Sequence, residues 1–147
     1  MLQPWGCTIL ANALLDFPDF YARYGVTKVG LEELLRLSDI VTLHVPLDDL
    51  TRNILSLERL GLMKPTAVLI NAARSGLVDE AVLKTMLMEK TLAAAVLDVF
   101  ATEPLQDREL LSLPNFLATP HIGGSTEETI LAMGRAAVNG LDRNEIP

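Results

Sequence analysis

The sequence is short of cysteine, aromatic residues and long apolar runs, and these shortages exclude several classes of protein. Among 147 residues there is one cysteine, so no internal disulfide can form and the reducing cytoplasm is the expected location. No apolar run reaches the roughly 18 residues that a membrane-spanning helix requires. Lys and Arg number 12 against 19 Asp and Glu, a net charge of −7 that argues against a nucleic-acid surface. We therefore expect neither a membrane nor a nucleic acid as a partner.

Hydrophobic residues make up 50% of the chain, which is enough for one domain of ordinary size with a real core. The single cysteine, Cys7, enters an apolar run, so we expect it in the core and not as a nucleophile. The spacing of His, Cys and carboxylate residues does not match a metal site, and none is predicted.

Short apolar segments alternate with helical patterns, which is typical of a parallel sheet with helices on both faces. The predicted strands are residues 7–12, 26–29, 40–45, 67–70, 92–97 and 115–118. Two of these strands, 67–70 and 92–97, lack polar residues altogether, as expected for strands covered on both faces. The last predicted helix carries an apolar stripe formed by Ile130, Met133, Ala137 and Leu141. The predicted fold class is α/β.

The stretch of residues 119–126 joins the last predicted strand to the last helix and places a histidine between them. Pro120 ends the strand and His121 follows directly. Gly123 and Gly124 permit positive φ or the close approach of a ligand. Ser125 is predicted to cap the helix, because a glutamate stands three positions later. Open α/β sheets bind ligands at such corners, although a turn histidine without a role is the alternative.

Four ionisable residues follow the ends of three predicted strands: Arg74, Asp98, Glu103 and His121. Because the carboxyl ends of parallel strands share one edge of a sheet, these side chains are expected there together. An arginine matches a carboxylate or phosphate with its planar fork, and a histidine paired with a carboxylate exchanges protons near neutral pH. Proton transfer on a small anionic substrate is therefore the predicted chemistry. A set of ordinary surface ion pairs is the alternative.

Three runs occur in the chain in a fixed order. Residues 71–80 read NAARSGLVDE, residues 97–104 read LDVFATEP, and residues 119–126 read TPHIGGST. Together with residues 38–51, they resemble the ordered motifs of the D-isomer-specific 2-hydroxyacid dehydrogenases, and residues 124–128 resemble the phosphoglycerate dehydrogenase branch. The resemblance covers nearly the whole chain but only the nucleotide-binding domain of that family. It implies a Rossmann-like sheet, NAD as cofactor with NADP as an alternative, and a small 2-hydroxy or 2-oxo acid as substrate.

The resemblance also implies roles for individual residues. His121 would be the acid/base for the substrate hydroxyl, Glu103 would hold its imidazole, and Arg74 would clamp the substrate carboxylate. Asp98 would accept a hydrogen bond from the nicotinamide carboxamide. The implied cofactor-binding residues are His44, Val45, Pro46, Thr51, Ala72, Ala73, Arg74, Asp98, His121, Gly123 and Gly124. For His44 alone, a satisfied core histidine is a strong alternative.

The chain departs from the family pattern at three places. It contains no Gly-x-Gly-x-x-Gly loop, and the strand that precedes this loop is missing with it. After the first predicted strand, no acidic residue occurs until Asp16, so the preference between NAD and NADP is open. The family's substrate domain is also absent. We therefore expect residues 1–147 to form a partial NAD(P)-binding domain that does not complete a turnover alone.

Two readings of the function follow. One is a part of an oxidoreductase that retains its catalytic residues, as a homodimer or joined to a missing domain of a longer chain. The other is a non-catalytic nucleotide-binding or protein-interaction module that uses an exposed edge of its sheet.

Overall fold

The structure, a computed structural model, describes residues 3–142. After a 3-10 turn over Gln3–Trp5, strands and helices alternate along the chain. The elements are β1 (Ile9–Ala11), α1 (Pro18–Tyr24), β2 (Val26–Lys28), α2 (Leu31–Leu37), β3 (Ile40–Leu43), α3 (Leu57–Leu60), β4 (Val68–Asn71), α4 (Glu80–Met88), β5 (Ala94–Leu97), α5 (Arg108–Leu111), β6 (Phe116–Ala118) and α6 (Glu127–Asp142). All six predicted strands are present, each one to three residues shorter than predicted or shifted by one.

The strands form two parallel sheets. One contains β1 and β2, and the other has the order β3-β4-β5-β6. In the larger sheet, Leu43 is paired with Asn71, Asn71 with Leu97, and Leu97 with Ala118, so the strands end at a common edge. The α/β, Rossmann-like fold class is confirmed. Within residues 3–142, no strand joins β1 or β2 to β3.

The core lies mainly between the larger sheet and helices α2 to α5. Asp79 caps α4, because its carboxylate accepts hydrogen bonds from the backbone amides of Ala81 and Val82. The leucines with at most 1% exposure come from both strands and helices, and they are Leu35, Leu55, Leu60, Leu69, Leu77, Leu83, Leu87, Leu92 and Leu97. This core holds the strand ends, and thereby the site, in place.

The two faces of the larger sheet are covered unequally. Along β4 and β5, buried residues alternate with half-buried ones, although both strands are entirely apolar before Asn71. Helix α6 leaves its predicted stripe exposed, with Ile130 at 55% and Met133 at 56%, while the side chain of Leu141 lies outside the described part. These segments therefore contain more apolar side chains than the described part of the chain buries.

Two sequence-based expectations about individual residues are wrong. Cys7 is exposed instead of buried, and it lies two residues before β1 rather than within the strand. Ser125 does not cap α6. The helix begins two residues later, and Thr126 accepts the hydrogen bond of the Thr129 amide at 3.2 Å. No helix within residues 3–142 is long and apolar enough to cross a bilayer.

Candidate active site

The candidate site lies at the edge where β4, β5 and β6 end. Residues 72–76 follow β4, residues 98–104 follow β5, and residues 119–124 follow β6. The parallel register brings these three loops side by side, as the alternation of strands and helices predicts.

The central contact joins His121 to Glu103. Nδ1 of His121 lies 3.0 Å from Oε2 and 3.1 Å from Oε1 of Glu103. Since both carboxylate oxygens are acceptors, Nδ1 carries the proton, and Nε2 is the ring nitrogen left to exchange one with a ligand. The predicted pairing of these two residues is present, with the His121 side chain 48% exposed.

Glu103 is held in its charged form. The hydrogen bond from His121 and a second from the backbone amide of Phe100, at 3.1 Å, lower the pKa of the Glu103 carboxyl below its ordinary value. A charged Glu103 accepts the hydrogen bond from Nδ1 of His121 and thereby fixes the imidazole tautomer.

His121 has an unusual backbone conformation. Its φ is +55°, in the left-handed region that a residue with a Cβ seldom adopts. Its amide donates to the carbonyl oxygen of Thr119 at 3.0 Å, a tight turn around Pro120 at the end of β6. This turn aims the imidazole back toward Glu103, which sequence spacing alone does not indicate.

Asp98 stabilises this turn by accepting three hydrogen bonds. Its Oδ1 accepts hydrogen bonds from the Thr119 hydroxyl at 2.5 Å and the Ile122 amide at 3.0 Å, and its Oδ2 accepts one from the Gly123 amide at 2.9 Å. Asp98 is only 7% exposed. Burial raises the pKa of its carboxyl, but these hydrogen bonds and the charge of His121 outweigh burial and leave the pKa below its ordinary value. The part of Thr119 in this network was missed by the sequence analysis.

Arg74 projects from the loop after β4 and is exposed. The loop is shaped by Asn71, which is 2% exposed and donates from Nδ2 to the Arg74 carbonyl at 2.9 Å, while its Oδ1 accepts from the Ala73 amide at 3.1 Å. Nη1 of Arg74 donates to the Ala73 carbonyl at 2.7 Å. Asn71 was not singled out from the sequence, although a polar residue ending an apolar strand is a usable signal.

The predicted residues after β3 occupy a loop at the same edge. Thr51, 8% exposed, donates from its hydroxyl to the Pro46 carbonyl at 2.6 Å and accepts from the Asp48 amide at 2.8 Å. His44 is exposed, with Nε2 3.0 Å from the Thr42 hydroxyl. The alternative of a buried core histidine is therefore wrong, because β3 ends at Leu43, one residue earlier. Val45 is half-buried against the core, while Pro46 is exposed.

The two glycines after His121 differ in their surroundings. A Cβ added to Gly123 would lie 2.9 Å from Oδ2 of Asp98, whereas a Cβ on Gly124 would meet nothing within 4 Å. Gly123 thus permits the close packing of the turn on Asp98. Gly124 leaves open space beside the His121 turn.

The hydrogen bonds divide the predicted residues into two groups. Asp98, Glu103, His121 and Gly123 form one network, connected through Thr119. Arg74 and Thr51 bond within their own loops, and His44 bonds to Thr42 in β3. An apolar cavity of about 460 Å³ lies beside the network and is lined by Phe100, Glu103, Pro104, Leu105, Leu111, Ala118, Thr119 and Pro120. Glu103 is one of its lining residues, whereas Arg74 and Gly124 are not. Within residues 3–142, no three His, Cys, Asp or Glu side chains cluster as metal ligands would.

Comparison with known proteins identifies relatives along most of the chain. The model of the family "D-isomer specific 2-hydroxyacid dehydrogenase, NAD binding domain" matches residues 1–123. Glyoxylate/hydroxypyruvate reductase B of Enterobacter agglomerans is 45% identical over 138 residues, 93% of this chain and 43% of that protein. D-3-phosphoglycerate dehydrogenase of Methanocaldococcus jannaschii is 48% identical over 104 residues, 71% of this chain and 20% of that protein.

Solved structures agree in fold. D-mandelate dehydrogenase of Rhodotorula graminis superposes with a TM-score of 0.89 at 29% identity, over 97% of this chain and 42% of that one. The NAD complex of a D-isomer specific 2-hydroxyacid dehydrogenase from Lactobacillus delbrueckii gives 0.83 at 29% identity, over 99% and 48%. An acyclic imino acid reductase in complex with NADPH and D-Arg gives 0.84 at 27% identity, over 95% and 44%.

This chain spans less than half the length of these relatives. Its match nevertheless extends over the strands, the loops and the histidine turn described above. The chain belongs to the NAD-binding domain family of the D-isomer specific 2-hydroxyacid dehydrogenases.

Proposed function

We propose that this chain is the cofactor-binding and proton-transferring part of a 2-hydroxyacid dehydrogenase. The observation that carries the proposal is the His121–Glu103 pair, 3.0 Å apart at the strand edge with the imidazole half-exposed. The reaction interconverts a small 2-hydroxy acid and its 2-oxo acid, and NAD, or NADP, supplies the hydride chemistry at C2 when bound. Glyoxylate, hydroxypyruvate and the oxidised form of 3-phosphoglycerate are the substrates to test, given the relatives.

Residues of this chain transfer the proton and bind the substrate and cofactor. In oxidation, Nε2 of His121 takes the proton of the substrate hydroxyl, and in reduction the protonated ring returns it to the carbonyl oxygen. Glu103 stabilises the positive ring between these steps. Arg74 binds the substrate carboxylate with its planar guanidinium, a geometry that a lysine does not offer. Asp98 fixes the turn and has lone pairs left for the carboxamide of the cofactor.

The remaining cofactor contacts are proposed at the same edge. His44, Val45, Pro46 and Thr51 border the adenosine side, and Ala72, Ala73, Gly123 and Gly124 border the nicotinamide side. This sequence contains no glycine-rich loop of the kind that binds the pyrophosphate of a dinucleotide. We infer that residues 1–147 form a partial domain, that a substrate domain or a second copy of the chain completes the site, and that the protein works in the cytoplasm.

A protein-interaction module is the second candidate. It is favoured by the free edge of β3, where Ile40 is 62% exposed, and by the exposed stripe of α6. This module would need none of the His121 network, so the same experiment separates the two candidates.

The experiment is a titration of the chain with NADH, followed by energy transfer from Trp5 and by thermal melting. Because residues 1–147 are not expected to complete a turnover alone, the turnover of glyoxylate and hydroxypyruvate is then measured by NADH absorbance in a full-length context, with the chain joined to a substrate domain. We expect saturable binding, and His121→Asn should lower any turnover by about 10²- to 10⁴-fold with NADH binding unchanged. Glu109→Gln, on an exposed residue paired with Lys84, is the control and should change neither. Absence of saturable NADH binding would overturn the proposal in favour of the interaction module.

A further inference from the structure

The loop that contains Glu103 is exposed along its middle. Phe100, near the start of the loop, is 5% exposed, and its ring packs against that of Phe116 with 6.4 Å between the ring centroids. Residues 101–104 follow and are exposed, and the side chain of Glu103 is 39% exposed. The partner of the proposed acid/base therefore lies on a stretch that the core does not enclose.

A hydrogen bond connects this stretch to helix α4. The amide of Ala101 donates to Oε1 of Glu80, the first residue of α4, at 2.9 Å. The preceding amide, that of Phe100, donates to Oε1 of Glu103 at 3.1 Å. Two consecutive amides thus bind two glutamates, of which one belongs to α4 and the other holds the imidazole of His121.

The surroundings of Glu80 differ from those of a comparable glutamate in α3. Glu80 is half-buried, whereas Glu58, in the first turn of α3, is exposed. Burial raises the pKa of the Glu80 carboxyl, and the hydrogen bond from the Ala101 amide opposes this effect. A glutamate that only favours the positive end of a helix does so while exposed, and burial adds a cost. The position of Glu80 is therefore explained by its bond to the loop.

We propose that Glu80 is a positioning residue for proton transfer and acts through the amide of Ala101. By holding Ala101, it fixes the direction of the adjacent Phe100 amide. That amide orients the carboxylate of Glu103 toward Nδ1 of His121. The inference rests on the proposed function, since it presumes that His121 transfers the proton.

The loss of Glu80 is expected to change the geometry of the loop more than its folding. Ala101 is exposed, so water can replace Glu80 as the acceptor of its amide. A water molecule moves with the loop and does not fix the direction of the peptide plane. The carboxylate of Glu103 then occupies a range of positions, and its bond of 3.0 Å to Nδ1 of His121 weakens.

The experiment measures the imidazole tautomers by nitrogen NMR on the full 147-residue chain. The chain has two histidines, and His44, which bonds to Thr42, is an internal control in every spectrum. Spectra are recorded at about pH 9, where a histidine of ordinary pKa is neutral. For the unmodified chain we expect the Nδ1-protonated tautomer at His121, as its bond to Glu103 requires.

Three variants of Glu80 separate its hydrogen bond from its charge. Glu80→Ala should lower the ratio of the Nδ1-protonated to the Nε2-protonated tautomer of His121 by about threefold to tenfold, the effect of one weakened hydrogen bond. Glu80→Gln keeps an acceptor oxygen at the same length and should keep the ratio within about twofold of the original. Glu80→Asp keeps the charge but shortens the side chain, so it should resemble Glu80→Ala and replaces it if that variant does not fold.

The matched control is Glu58→Ala, which removes the first-turn glutamate of α3 and should leave the ratio at His121 unchanged. A ratio that neither Glu80→Ala nor Glu80→Asp changes overturns the inference. An equal loss in Glu80→Gln and Glu80→Ala also overturns it, and so does an equal change at His44, which would indicate a general disturbance of the fold.

Titration of the same proteins with NADH distinguishes failure of the inference from failure of the proposed function. If the unmodified chain binds NADH and the tautomer ratio does not respond to Glu80, the inference is wrong and the proposed function stands. If the unmodified chain does not bind NADH, the proposed function is overturned together with the inference that rests on it.

Discussion

The backbone amide of Gly123 donates a hydrogen bond of 2.9 Å to Oδ2 of Asp98, 25 residues earlier in the chain. This bond connects the end of β5 to the turn after β6. His121 lies within that turn, with its imidazole against Glu103. The position of the proposed acid/base therefore depends on a buried carboxylate that need not touch a substrate.

The contact between Gly123 and Asp98 predicts a difference between two neighbouring glycines. Gly123→Ala places a Cβ 2.9 Å from Oδ2 of Asp98, so the turn must shift, and we expect a loss of about 1–3 kcal/mol in the free energy of unfolding. Gly124→Ala has open space and should change it by less than about 0.5 kcal/mol. Urea unfolding of both variants measures the difference. Equal losses would contradict the predicted role of Asp98.

Asp98 also predicts a dependence of stability on pH. Its pKa in the folded chain lies below the value of about 3.9 in an unfolded one, since its hydrogen bonds favour the charged form despite burial. The ionised carboxylate therefore stabilises the fold above about pH 4, and this contribution is lost as the pH falls through the folded pKa.

Asp98→Asn tests this dependence. At about pH 6 the variant should be less stable by about 1–3 kcal/mol, because the amide cannot accept all three hydrogen bonds. At about pH 3 the difference should be smaller. Urea unfolding at both values measures it, with Asp49→Asn, on an exposed aspartate, as the control. A difference that is independent of pH would count against a charged Asp98.

Helix α4, which follows the Arg74 loop, depends on its N-cap. The Asp79 carboxylate accepts hydrogen bonds from two amides at 3.2 and 3.1 Å. Asp79→Ala should lower the free energy of unfolding by about 1 kcal/mol. Ser56 is the residue before α3 and makes no side-chain cap, so Ser56→Ala is the matched control and should have little effect. Thermal melting of the two variants measures the difference in stability.

Alanine substitutions at two leucines test how far the core extends. Leu69 in β4 is completely buried, and Leu69→Ala should cost about 2–5 kcal/mol through the lost contacts and the cavity left behind. Leu131 in α6 is 51% exposed, so Leu131→Ala should cost less than about 1 kcal/mol. Chemical unfolding compares them. A large loss at Leu131 would show that α6 buries this side chain in solution.

Much of the fold was predictable because the strands and helices follow from local sequence patterns. Apolar runs of four to six residues at 67–70 and 92–97 predicted β4 and β5. Ser125 and Thr126 show the limit of such patterns. Both residues are able to cap a helix, and the turn held by Asp98 decides that the helix begins after Thr126.

The sequence by itself determined the alternation of strands and helices, the edge where the site lies, and the family to which the chain belongs. These follow from hydrophobic periodicity and from runs of adjacent residues. Only the tertiary structure decided that Thr119, Ile122 and Gly123 all donate to Asp98, that His44 is exposed, and that Asp16 meets Lys28. Such contacts join residues that are distant in sequence, and they depend on distances of about 3 Å that only the packed strands establish.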